Sequence, residues 1–220
     1  MSLARTRHSL LAATLVVAAS AQAGTLLDQD FDDVGALPAA GWLFTNANPD
    51  PAYLLDWFQG NPDVFAAHGG ADGSYVASTW GAAAAGAQLH NWLITPEFST
   101  ATAGIVTFWL RGAADPGTLD TVNVGFSSGS GAPAAFVLGD AITATGQWTE
   151  VSVSFAAGAA GSTGRFAIEQ SGSDDLASYV GIDSLSIQTR AVGVVPEPAN
   201  AVLLATALLG LAAWRRRTAR

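Results

Sequence analysis

Carboxylates are the side chains here whose type and spacing could do chemistry. Asp28, Asp30, Asp32 and Asp33 crowd into LLDQDFDDVGALPAAGW, and Asp183 stands far along the chain in YVGIDSLSI. On a strand Asp28, Asp30 and Asp32 share one face, where adjacent carboxylates repel unless a cation neutralises them. Calcium gathers roughly six to eight oxygens, mostly carboxylate and carbonyl, so an Asp-rich segment plus a distant Asp can build its cage. The same residues also suit a solvated acidic strand edge that discourages aggregation.

Catalytic chemistry has little to work with. A hydrolase triad needs a positioned histidine; between the two ends of the chain only His68 and His90 are available, without a G-x-S-x-G turn. GGADGSY after His68 is a glycine-rich turn, and two isolated histidines do not make a metalloenzyme centre. Acidic residues are plentiful, but no pair is marked out as the facing carboxylates of a glycosidase. No catalytic residue is assigned. Binding is better supplied: Trp42, Trp57, Trp80, Trp92, Trp109 and Trp148 offer faces on which sugar rings stack, although buried indoles are commoner in β-sandwich cores. Trp57 and Trp80 flank polar loops and are the expected exposed, ligand-binding pair.

The elements that must position these residues read as strands. In GIVTFWLRG, Val106, Phe108 and Leu110 alternate with Ile105, Trp109 and Arg111. DTVNVGFSS, WTEVSVSF and GRFAIEQ alternate in the same way, with Val122, Val124 and Phe126, then Val151, Val153 and Phe155, then Phe166 and Ile168 on the apolar face. Strict alternation with Gly- and Pro-rich breaks predicts an all-β sandwich of antiparallel strands. WGAAAAGAQ is predicted to be a loop or a single turn. Val180 and Ile182 share a parity that Leu185 and Ile187 reverse, which predicts a bulge at Asp183-Ser184.

Residues 24–195 hold 17 acidic residues against Arg111, Arg165 and Arg190, and the chain has neither lysine nor cysteine. Such a surface repels nucleic acid and excludes it as a partner. Disulfides and thiolate metal sites are excluded as well.

The two ends are address-like. Residues 1–23 carry Arg5 and Arg7, a short apolar run and Ala21-Gln22-Ala23, the pattern of a secretory signal peptide that directs Sec export. Residues 24–190 then form the domain, 191–198 a linker, 199–214 a single membrane helix and 215–220 a cytoplasmic arginine-rich tail.

Pro196-Glu197-Pro198, the apolar helix and Arg215, Arg216 and Arg217 resemble the PEP-CTERM sorting signal of Gram-negative bacteria. That resemblance implies recognition of Pro196, Glu197 and Pro198 by an exosortase. It also implies transient anchoring in the inner membrane and delivery to the cell surface or an extracellular matrix. Over about 26–188, the series FDD…LPAAGW, DWF, NWLITPEF, VTFWLRG, GQWTEVSVSF and YVGIDSLSI resembles the choice-of-anchor J domain, a relative of cleaved-adhesin and MAM-like modules. This second resemblance implies a jelly-roll β-sandwich, non-catalytic, that binds an extracellular polysaccharide or surface protein. It also implies structural Ca²⁺, with Asp30, Asp32 and Asp183 as the expected ligands. Two other readings remain open: a calcium-dependent, lectin-like carbohydrate-binding module and an exported hydrolase.

Overall fold

The computed structural model describes residues 23–48, 56–113 and 115–190. The expected signal peptide apart from its last residue, the Pro-Glu-Pro linker, the membrane helix and the arginine tail lie outside the described residues. No helix among the described residues is long and apolar enough to cross a membrane.

Among the described residues thirteen strands follow one another: β1 (Thr25–Gln29), β2 (Leu43–Asn46), β3 (Phe58–Gln59), β4 (Val76–Thr79), β5 (Gln88–Ile94), β6 (Phe98–Ser99), β7 (Gly104–Gly112), β8 (Thr121–Ser127), β9 (Val137–Leu138), β10 (Ile142–Thr143), β11 (Thr149–Phe155), β12 (Thr163–Ser173) and β13 (Tyr179–Thr189). They form two sheets. One runs β11-β7-β13-β4-β3 with β1 also on β13; the other runs β10-β8-β12-β5-β2 with β6 on β12 and β9 on β8. Every pairing is antiparallel.

Alternation makes the core, because successive side chains leave opposite faces of a strand. Val106, Phe108 and Leu110 of β7 are buried, as are Val122 and Val124 of β8 and Phe166 and Ile168 of β12. Phe108 reaches across the sandwich to Phe166, ring centroids 6.0 Å apart. On β11, Val151, Val153 and Phe155 face the same core but are only partly buried, because β11 is an edge.

The bulge at Asp183-Ser184 is present. Asp183 pairs with Trp109 and Ser186 with Thr107, so β13 spends one extra residue against β7 between those pairs. Ser184 takes a left-handed φ of 50°. The extra residue restores parity, and Val180, Ile182, Leu185 and Ile187 all enter one core. On the far edge of β13 the bulge also divides the partners, β4 on residues 179–182 and β1 on residues 185–188.

Both outer faces carry a partial third layer. Phe65, Tyr75, Ala77 and Tyr179 form a second small core with Phe58 and Trp148, placing the loop between β3 and β4 over the first sheet. Trp92, Ile94 and Ala167 are covered by Phe136 and Leu138 on the second sheet. Gly125 permits that cover, since a Cβ there would stand 2.0 Å from the Val137 carbonyl oxygen.

Three expectations need correcting or refining. Trp57 is 3 % exposed and belongs to the main core. Phe58 takes the outer face with Ala77, which turns its neighbour Trp57 inward. The acidic segment does not line one strand face either, because β1 ends at Gln29 and Phe31 adopts φ 56°. In WGAAAAGAQ a single 3₁₀ turn forms, Trp80–Ala82.

The chain ends of this unit meet: Gly24 N–H donates to Thr189 Oγ1 at 2.8 Å, and Thr189 N–H donates to the Gly24 carbonyl. Residues 23–190 separate as one compact unit, with both sheets and their cores inside it. It holds what a domain needs to fold independently.

Candidate functional site

Asp183 leaves β13 on the outer face, yet it is fully buried. The loop between β3 and β4 covers it. Backbone N–H groups of His68 and Gly69 donate to Oδ2 at 2.7 and 3.1 Å. Ser184 donates to Oδ1 through its N–H at 2.6 Å and its hydroxyl at 3.3 Å. A carboxylate offers about four lone-pair sites, and four donors occupy them. Asp183 is therefore a clip that fastens a loop to a bulge.

That arrangement does not fit a calcium cage. Among the described residues no group of three or more His, Asp or Glu side chains converges to hold a metal. The expected set of Asp30, Asp32 and Asp183 is not assembled. Asp30 and Asp32 are exposed, and Asp183 has its oxygens turned to N–H and O–H donors. Asp32 does approach the clipped loop, since a Cβ on Gly70 would stand 3.3 Å from its Oδ1. Asp33 caps the 3₁₀ helix Val34–Ala40 by accepting from Ala36 N–H at 3.2 Å.

Trp80 is exposed, as expected. It opens the turn after β4, where Thr79 Oγ1 accepts from Gly81 N–H at 3.1 Å and Trp80 N–H donates to the Ser178 carbonyl at 3.1 Å. The backbone is thus fixed while the indole stays 56 % exposed. It borders a cleft of about 420 Å³ with Asp63, Val64, Thr79, Asp115, Ser178 and Tyr179. The Ser178 hydroxyl donates to Asp115 Oδ2. An apolar plate beside carboxylates and hydroxyls can take a ring with one C–H face and hydroxyls around its rim.

Asp120, on the loop leading into β8, supports this cleft from behind. Its Oδ1 accepts from Ser178 N–H at 2.8 Å and its Oδ2 from Tyr179 N–H at 3.4 Å. Burial pushes the carboxyl of Asp120 above the ordinary range, against the pull of those N–H donors. Burial raises Asp183 in the same way, again opposed by its N–H donors. Each folded pKa lies above its unfolded value. Their stabilising contribution is therefore fully present below the ordinary Asp pKa of about 3.8 and is lost as pH rises through the raised values. The melting temperature of residues 23–195 is expected to fall as pH rises above the ordinary Asp value. Asp120→Asn, which no longer titrates, flattens part of that slope; a slope unchanged in Asp120→Asn refutes the assignment.

The two domain histidines are occupied otherwise. His68 stacks on Trp109, centroids 3.7 Å apart. His90 Nδ1 pairs with Glu169 Oε1 at 2.7 Å. Sequence reasoning missed the loop-clipping role of Asp183 and the support from Asp120. Only the parity reversal at Asp183-Ser184 hinted at either.

No protein-family model matches the chain, and no curated protein does. Solved structures do. The K3 cleaved adhesin domain of Lys-gingipain from Porphyromonas gingivalis W83 is similar at a TM-score of 0.58 and 22% identity, covering 77% of this chain and 100% of that one. The K1 domain of the same protein gives 0.58 and 22%, covering 76% and 100%. The K2 domain gives 0.51 and 21%, covering 77% and 99%. The described unit has the fold of these cleaved adhesin domains.

Proposed function

We propose that this protein is an exported, non-catalytic β-sandwich module of jelly-roll type that binds an extracellular polysaccharide at the cell surface or in its matrix. The observation that carries the reading is Trp80, held by its backbone and left exposed beside the carboxylates and hydroxyls of one cleft. An acidic, lysine-free surface suits a neutral polymer better than an anionic one. The adhesin likeness in fold agrees with a displayed binding role. The test is affinity electrophoresis of residues 23–195 through a panel of neutral polysaccharides. Retardation by at least one polymer is expected, with Trp80→Ala weakening it roughly tenfold or more at an unchanged melting temperature. Retention that ignores Trp80→Ala overturns the site.

Delivery belongs to the same proposal and rests on the sequence of the tail. Sec export, exosortase recognition of Pro196-Glu197-Pro198 and transient anchoring by residues 199–214 place the domain outside a Gram-negative cell. Changing Pro196, Glu197 and Pro198 to alanine is expected to leave a full-length precursor in the inner membrane, seen by immunoblot of fractionated cells. Normal maturation of that variant would falsify the sorting role.

A further inference from the structure

The first sheet ends on β11, whose other side is unpaired among the described residues. The remaining edge strands are shorter: β1 has five residues, β2 four, and β3, β6, β9 and β10 two each, whereas β11 has seven. Natural edges are usually blunted by prolines, bulges or lysines. β11 has none of these: TEVSVSF pairs with β7 over all seven residues without a register shift. Its inward Val151, Val153 and Phe155 stay partly exposed, while Phe108 and Val106 on β7, the cross-strand partners of Val151 and Val153, are fully buried. Backbone groups and apolar flanks are both left open.

The charges say what fits. Glu150, Ser152 and Ser154 form the exposed outer row of the strand. Arg190 lays its guanidinium on that row, Nη2 donating to Ser154 Oγ at 2.7 Å. A two-fold axis through Ser152 sets β11 antiparallel to a second β11 and uses the whole strand. Glu150 then lies opposite the partner's Ser154 and beside the partner's Arg190, and the symmetric pair repeats the contact. On the inner face Val151 meets the partner's Val153, apolar against apolar. An axis through Glu150 would instead stack that carboxylate on itself, which costs energy.

We propose that β11 is a homodimerisation edge, through which two copies of this chain join their first sheets into one continuous sheet. The interface is isologous and combines main-chain pairing with the reciprocal Glu150–Arg190 contacts. It leaves the Trp80 cleft to its own role and doubles the number of clefts per particle, which raises avidity for a repeating polymer.

Sedimentation velocity on residues 23–195, across a range of concentrations at low salt, tests this directly. A reversible monomer–dimer equilibrium is expected. Glu150→Arg and Arg190→Glu should each weaken dimerisation about tenfold by opposing like charges, and the double swap should restore it. Ser152→Lys sets two cations face to face on the axis and abolishes the dimer. Because Ser152 is exposed, the melting temperature of this variant should match that of the unchanged chain at concentrations where both are monomeric. A monomer at every concentration overturns the proposal. So does a dimer indifferent to Ser152→Lys and to the swaps, since it must use another surface.

Discussion

Asp183→Ala is expected to destabilise residues 23–195 by about 3 kcal/mol, because it strands buried backbone donors that now point at a carboxylate. The His68 and Gly69 N–H groups lose their acceptor at the same time, and Ser184 loses the partner that holds its left-handed backbone. The loop between β3 and β4 should lift from the first sheet, carrying Phe65 with it and exposing Trp148 and Tyr179, on which Phe65 packs. Hydrogen exchange reads this: the amides of His68 and Gly69 lose protection before the strands do. Asp183→Asn keeps one acceptor oxygen and should lose about half as much. The loss should be the same in EDTA and in excess Ca²⁺, because the carboxylate serves N–H and O–H donors. A destabilisation present only with Ca²⁺ would restore Asp183 to a metal site.

Phe108→Ala is expected to be as damaging or more so, at about 3–5 kcal/mol, since it opens a cavity where the two sheets touch. Phe108 is fully buried in the middle of β7, between β11 and β13, and its ring faces Phe166. A unit of this size loses roughly 2–4 °C of melting temperature per kcal/mol, so a fall on the order of 10 °C is expected. Thr107→Ala, one residue away and on the outer face, should shift it by only a degree or two. Equal shifts for the two variants would mean that the alternation does not define the core.

The contrast between these positions separates what local sequence encodes from what it leaves open. Phe108 was legible because strand parity is a property of neighbouring residues: a period of two fixes which face each side chain takes. The bulge at Ser184 was legible for the same reason, as a parity fault between Ile182 and Leu185. Trp57 was misread because β3 is only two residues long, too short for alternation to declare a face. The aspartates at 28, 30 and 32 were misread as one row because nothing local announced that Phe31 turns left-handed.

By itself, then, the sequence determined the all-β class, the inward residues of the long strands, the bulge on β13 and the exclusion of disulfides. These follow from side-chain period, parity and composition, which are local quantities. Only the tertiary structure decided that Asp183 holds a loop, that Trp80 and not Trp57 faces solvent, that Asp120 braces the Ser178–Tyr179 backbone and that Arg190 lies along the edge of β11. Each of these depends on a contact between segments far apart in the chain, 115 residues in the case of His68 and Asp183. Such a contact is set by how whole sheets and loops pack together, and no short window of residues contains that information.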